Sequence, residues 1–170
     1  MAGTFVTLGN STDPFPRLLD ALRRLALPPP VIVQSGVTAV AAPEGWRVHP
    51  FLDPAAYRAA MAEARLVVCH GAAGSIWHAR QAGLLPVVLC RRARLGEIVD
   101  DHQQAFCRAL AAEGAILLAE EAADLGAAIE AALARQAAGD VPPPAPHAQG
   151  LIDAVALAIR DEATRLGRRP

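Results

Sequence analysis

Residues 66–76 read Leu66-Val67-Val68-Cys69-His70-Gly71-Ala72-Ala73-Gly74-Ser75-Ile76. Four apolar residues with no polar alternation are what a strand covered on both faces looks like. The small residues after them predict a tight loop, and a helix is expected from Ile76 with Ser75 placed to cap it. Strand, small-residue turn and helix make the opening of a βαβ unit. The same alternation runs outward in both directions. Apolar runs at Thr4–Leu8, Val31–Gln34, Arg47–Phe51, Val87–Cys90 and Ala115–Leu118 predict further strands. Helical patterns over about 14–26, 54–63, 75–83, 99–112 and 121–138 separate them. The fold class expected is α/β: a Rossmann-like parallel sheet with helices on both faces.

Local signals agree. Asp13-Pro14 and Asp53-Pro54 each read as an N-cap followed by proline in the first turn. Gly83 and Gly114 follow apolar helical stretches, as C-terminal glycines do. Residues 139–150 (GDVPPPAPHAQG) read as a proline-rich linker. After it, Leu151, Ile152, Val155 and Ile159 form one stripe of a last amphipathic helix. The organisation expected is a domain over 1–138, the linker over 139–150, and a helix and tail over 151–170.

A chain of 170 residues suits one domain that buries roughly 70% of its unfolded surface. The formal net charge of −1 excludes strong nonspecific binding to nucleic acid. All 16 basic residues are arginine. Without lysine there is no Walker-type phosphate loop and no Schiff-base chemistry. Cys69, Cys90 and Cys107 are odd in number and lack CxxC spacing, so neither a disulfide framework nor a zinc site is expected. The N-terminal MAGTFVTLGN has no basic or apolar leader pattern, so a cytoplasmic location is expected. No apolar run approaches the ~20 residues of a membrane span.

Ligands in open α/β sheets bind beyond the carboxyl ends of the strands, and three loops there carry the candidate chemistry. The first is His70–Ser75, whose small residues let backbone N–H groups approach an anion at a helix N-terminus. A tight turn that needs glycine for geometry alone reads equally well. The second holds Gly9 and Asn10, the only asparagine in the chain; a capped turn is its plainer reading. The third, 91–104, packs Arg91, Arg92, Glu97, Asp101, His102, Gln103 and Gln104 into one stretch. Guanidinium groups suit phosphate, and carboxylates and amides suit sugar hydroxyls. A solvated loop with a capped helix start is the alternative. Gln34 ends a strand on the same rim.

Taken together, FVTLGNSTDPFPRLL (5–19), VIVQSG (31–36), FLDPAAYRAAMAEARLVVCHGAAGS (51–75) and GEIVDDHQ (96–103) resemble the C-terminal, donor-binding domain of glycosyltransferase family 28. The likeness is to its stand-alone small members. These include the cytosolic subunit of the split UDP-N-acetylglucosamine transferase and the PssE-type subunits of exopolysaccharide synthesis. The resemblance implies half of a GT-B fold that binds a UDP-sugar, with no further cofactor and no metal. It implies a donor site of Gly9, Asn10, Gly71, Ala72, Ala73, Gly74, Ser75, His78, Arg91, Glu97, Asp101, His102, Gln103 and Gln104. Within it, the glycine loop holds the diphosphate and the Gln103-Gln104 pair reads sugar hydroxyls. His70 is the single catalytic candidate, because the base and acceptor site of this family belong to the other GT-B half.

The function implied is transfer of a sugar, GlcNAc or another hexose, to a polyprenyl-diphosphate-linked acceptor. A membrane-associated acceptor subunit would complete the enzyme and recruit it to the inner membrane face; self-association stays open. Two departures stand out. Ala72 replaces the second glycine of the usual HGGxGS, which requires a negative φ there. His78 stands where relatives carry a carboxylate for the ribose hydroxyls. A non-catalytic nucleotide-sugar binder or scaffold, or an unrelated Rossmann-like domain associating through its last helix, are the alternative readings.

Overall fold

A computed structural model describes residues 3–143. The strands are β1 (Gly3–Thr7), β2 (Val31–Gln34), β3 (Trp46–His49), β4 (Ala64–Cys69), β5 (Val87–Leu89) and β6 (Leu117–Ala119). The helices are α1 (Pro16–Leu22), α2 (Pro54–Glu63), α3 (Ala73–Gln81), α4 (His102–Ala112) and α5 (Leu125–Ala137). All strand pairs are parallel, in the order β3-β2-β1-β4-β5-β6. The chain steps outward from β1 to β3, then crosses back to β4 and steps the other way. That reversal between β1 and β4 opens a crevice at their carboxyl ends.

Strand alternation explains the unbroken apolar runs. Leu66 and Val68 face a core shared with Leu18, Leu19 and Leu22 of α1 and with Leu125 and Ile129 of α5. Val67 faces the other way, onto Phe5, Met61 of α2 and Ala79 of α3. Cys69 and Val88 meet Ile76 of α3 with Phe106, Cys107 and Leu110 of α4. Both faces are covered, so no position in the run can be polar. Burial raises the Cys69 thiol well above its ordinary range, and Cys107 is raised by its neighbour Cys90 and by burial. Both stay protonated and pack as small hydrophobes.

Several element ends differ from expectation. Helix α1 begins at Pro16, not at Asp13-Pro14. The Asp13 backbone is held elsewhere: its N–H donates to Ser11 Oγ at 3.1 Å and its carbonyl accepts from Arg91 at 2.8 Å. Phe15 N–H is taken by Thr38 Oγ1 at 2.9 Å, which fixes the new helix entry. Strand β3 stops at His49, because Pro50 has no N–H to continue the ladder. Helix α4 starts at His102 instead of 99, after a left-handed Gly96. Residues 121–138 split into a 3-10 turn at Ala122–Asp124 and α5. Asp53 caps α2 as expected, and Gly83 and Gly114 are left-handed behind α3 and α4. Residues 144–150 of the expected linker and the helix expected over 151–170 lie outside the described residues. Among the described residues no helix is long and apolar enough to cross a membrane.

Two loops at the carboxyl edge are tied by one buried cation. Arg91 is 2% exposed. Its guanidinium donates to the carbonyls of Asp13 at 2.8 Å, Glu97 at 3.0 Å and Leu8 at 3.0 Å. It also lies 4.8 Å from the centre of the Phe15 ring. Arg17 pairs with both Glu97 oxygens, at 2.9 and 2.8 Å, and reaches the Cys90 carbonyl at 2.8 Å. Removing Arg91 leaves buried carbonyls unsatisfied, so Arg91→Met is expected to lower the unfolding free energy by about 3 kcal/mol. Urea titration checks this; a loss under half a kilocalorie would contradict the bracing role.

Candidate functional site

The crevice between β1 and β4 holds a cavity of about 370 Å³. Gly9 and Asn10 line it from the loop after β1, and Gln34 from the end of β2. Helix α2 contributes Pro54, Tyr57 and Arg58. The segment after β4 contributes His70, Ala72, Gly74, Ser75 and His78. Among the described residues no carboxylate lines it.

Two helices begin at this cavity, and their first turns differ. In α2 the Asp53 carboxylate accepts from Ala55 N at 2.8 Å and Ala56 N at 2.9 Å, so the exposed donors are satisfied internally. Helix α3 has Ala72 at its N-cap, no side-chain cap and no acid in its first turn. Ser75 does not cap it: the helix starts at Ala73, which puts Ser75 inside the first turn with its hydroxyl 3.4 Å from Tyr57 OH. The N–H groups of Ala73, Gly74 and Ser75 have no partner among the described residues. Three free donors and the positive end of a helix dipole form an anion slot.

The glycines around the slot have separate reasons. A Cβ on Gly71 would sit 2.9 Å from the sulfurs of both Cys90 and Cys107, so packing alone demands glycine there. A Cβ on Gly9 would come within 2.4 Å of the His70 ring, and Gly9 is left-handed (φ 73°). A Cβ on Gly74 would meet nothing within 4 Å. Protein packing therefore places no demand on Gly74, which borders open space at the slot. Ala72 has φ −87°, so the missing second glycine costs no strain.

His70 is 6% exposed, with Nδ1 facing the Thr7 carbonyl at 3.4 Å. Burial lowers its pKa to about 4, with Arg91 adding to the fall and the Thr7 carbonyl opposing it. The ring is neutral at pH 7, with Nδ1–H on Thr7 and the Nε2 lone pair turned toward Gly9. Gln34 ties the rim together. Its Oε1 accepts from Leu52 N at 3.2 Å, and its Nε2 lies 3.5 Å from the Gly9 carbonyl and 3.4 Å from Asn10 Oδ1. The Tyr57 ring stands edge-on to Phe5 at 5.3 Å and to His78 at 5.6 Å.

The cavity thus gathers Gly9, Asn10, His70, Ala72, Gly74, Ser75 and His78 from the residues singled out in the sequence. It does not gather Gly71, Ala73, Arg91, Glu97, Asp101, His102, Gln103 or Gln104. Arg91 and Glu97 are buried and bonded within the protein. Asp101 accepts from Ala93 N at 2.8 Å, and His102 is exposed and bonded to Asp100. Gln104 packs near Cys90, Arg92 and Glu120. The Gln103 Cβ lies 3.4 Å from where a Gly71 Cβ would be, on the far side of the loop, and Gln103 Oε1 is buried without a partner among the described residues. Tyr57 and Arg58 were missed by sequence reasoning. Their signal was spacing: they fall three and four residues after Pro54, on one helix stripe.

The depressed His70 pKa has a definite sign. Protonating it costs the folded state, so its stabilising effect is full above about pH 6.5 and is lost as pH falls toward about 4. Between pH 7.5 and 4.5 the wild type should lose roughly 2–3 kcal/mol that His70→Gln does not. Urea unfolding at the two pH values measures this; parallel losses would contradict the burial of a neutral ring.

Comparison with protein-family models and with curated proteins found no match. Solved structures are similar. The calicheamicin glycosyltransferase CalG4 aligns with a TM-score of 0.56 at 19% identity, covering 97% of this chain and 43% of that one. MurG of Acinetobacter baumannii gives 0.53 at 22% identity, covering 92% and 50%. The spinosyn forosaminyltransferase SpnP gives 0.53 at 19% identity, covering 92% and 44%. The chain spans half or less of the length of these structures. Its six-stranded parallel sheet and surrounding helices are the Rossmann-like half of a GT-B fold.

Proposed function

We propose that this chain is the donor-binding half of a two-component glycosyltransferase, holding a UDP-sugar in the β1–β4 crevice. The observation that carries the reading is the uncapped first turn of α3, whose free N–H groups border the cavity. Two or three charge-assisted N–H bonds, each worth about 1.5–3 kcal/mol, hold a diphosphate without lysine. The chain spans half or less of the length of the GT-B neighbours, as one half of such a fold does.

In the reaction the acceptor hydroxyl oxygen bonds to the sugar's anomeric carbon as the bond to the β-phosphate oxygen breaks. The electron pair leaves with UDP. Negative charge then grows on the diphosphate, where the α3 dipole and amides stabilise it. The acceptor's proton goes to a base in the partner half. His70, neutral and held by Thr7, is a weak base at pH 7; its part is to support the loop that carries Gly9. The assignment of sugar-hydroxyl recognition to Gln103 and Gln104 rests on the family 28 likeness: neither lines the cavity, and Gln103 Oε1 is buried without a partner among the described residues. The acceptor is a polyprenyl-diphosphate-linked sugar, and the partner is membrane-associated, bringing this chain to the inner face of the membrane. The family 28 likeness favours the stand-alone small-subunit type and a role in polysaccharide or glycolipid synthesis.

A second reading, a non-catalytic nucleotide-sugar binder, is favoured by His78 and the lack of any carboxylate in the cavity lining. Calorimetric titration with UDP tests the site common to both. The wild type should bind, and Gly74→Val with Ser75→Ala should weaken binding at least tenfold at unchanged thermal stability, because a side chain at 74 enters only open space. Undiminished binding by the variant, or none by the wild type, would overturn the site. Sugar transfer on co-expression with a membrane-anchored second half separates the two readings; a completed pair that binds UDP-sugar but transfers nothing favours the binder.

A further inference from the structure

Resting on the nucleotide-binding reading above, we infer that Arg58 is the cation that recognises the ligand's diphosphate, in the role a lysine or metal fills elsewhere. The inference starts from which arginines are already engaged. Arg17, Arg23, Arg92, Arg94, Arg108 and Arg135 lie in ion pairs. Arg80 and Arg91 donate to backbone carbonyls. Among the described residues Arg24, Arg47, Arg58 and Arg65 have side chains in no ion pair or hydrogen bond. Of these four, Arg58 alone lines the cavity.

Its surroundings make the vacancy informative. On α2 the positions three and four residues away are Ala55, Pro54, Met61 and Ala62, so no carboxylate can pair with it along the helix. The chain has 17 acidic residues for 16 arginines, yet among the described residues no acid lines this cavity. Pro54, Tyr57 and Arg58 occupy one stripe, and the Tyr57 hydroxyl reaches Ser75 of the α3 slot at 3.4 Å. Arg58 therefore lines the same cavity as Ala72, Gly74 and Ser75 of the α3 turn, from the neighbouring helix. Amides and guanidinium together surround an anion from two sides, and planar N–H donors match phosphate oxygens. A nucleoside diphosphate presents that charge; a nucleoside does not.

Titration calorimetry with UDP and with uridine, on the wild type, Arg58→Gln and Arg58→Lys, tests this. Arg58→Gln should weaken UDP about tenfold or more, as loss of a charge-assisted contact does. It should leave uridine within twofold and flatten the salt dependence of UDP binding. Arg58→Lys should recover part of the UDP affinity and of the salt dependence. Thermal melts should be unchanged, since the side chain is exposed. If Arg58→Gln binds UDP within twofold of wild type while Gly74→Val does not bind it, the site stands and Arg58 is idle. Equal losses for UDP and uridine would also overturn the assignment. A wild type that binds no UDP would overturn both this inference and the reading beneath it.

Discussion

A helix cannot satisfy its own first N–H groups, and the way α3 leaves them is the constraint on which the site turns. At α2 the neighbouring carboxylate of Asp53 closes the question within the chain. At α3 the residue in the equivalent place is alanine, and the first turn carries no acid. Such donors need water or a ligand, and here they border a cavity at the strand-order reversal. The sequence Ala72-Ala73-Gly74 has a chemical consequence because it withholds a cap.

Much of the surrounding structure keeps that edge rigid. The His70 ring supports Gly9, the Cys90 and Cys107 sulfurs crowd Gly71, and Gln34 bridges the β1 loop to Leu52. Behind them Arg91 collects three carbonyls from two loops, with Arg17 and Glu97 locked beside it. These charges read as ligand-binding in sequence and are structural in space. Burying a guanidinium is tolerable because its two Nη groups meet carbonyl oxygens and its face meets the Phe15 ring. Among the described residues the cavity in consequence carries Arg58, two histidines and no carboxylate, a lining suited to anions.

The sheet was legible because its signal is local. The runs at 4–8, 31–34, 66–69 and 87–90 each hold a strand, and the Asp53-Pro54 cap opened its helix where expected. The loop after β4 was legible as a small-residue turn from strand to helix for the same reason: strand, small residues and helix are adjacent in the chain. What escaped was set by distant partners. Asp13 loses its capping place because Arg91, 78 residues away, holds its carbonyl. Glu97 turns inward because Arg17, 80 residues away, meets it. Arg58 sits in an alanine-rich helix with no local signal of its own, and only the packing of α2 beside α3 brings it to the cavity.

The most direct measurement is an amide nitrogen–proton correlation spectrum of the labelled protein during addition of UDP. The account predicts that the Ala73, Gly74 and Ser75 amides move to lower field in proportion to saturation, with Gly9 and Asn10 shifting alongside. Shifts confined to another part of the molecule, or a saturated complex in which those three amides stay where they were, would contradict an anion held by the open turn of α3.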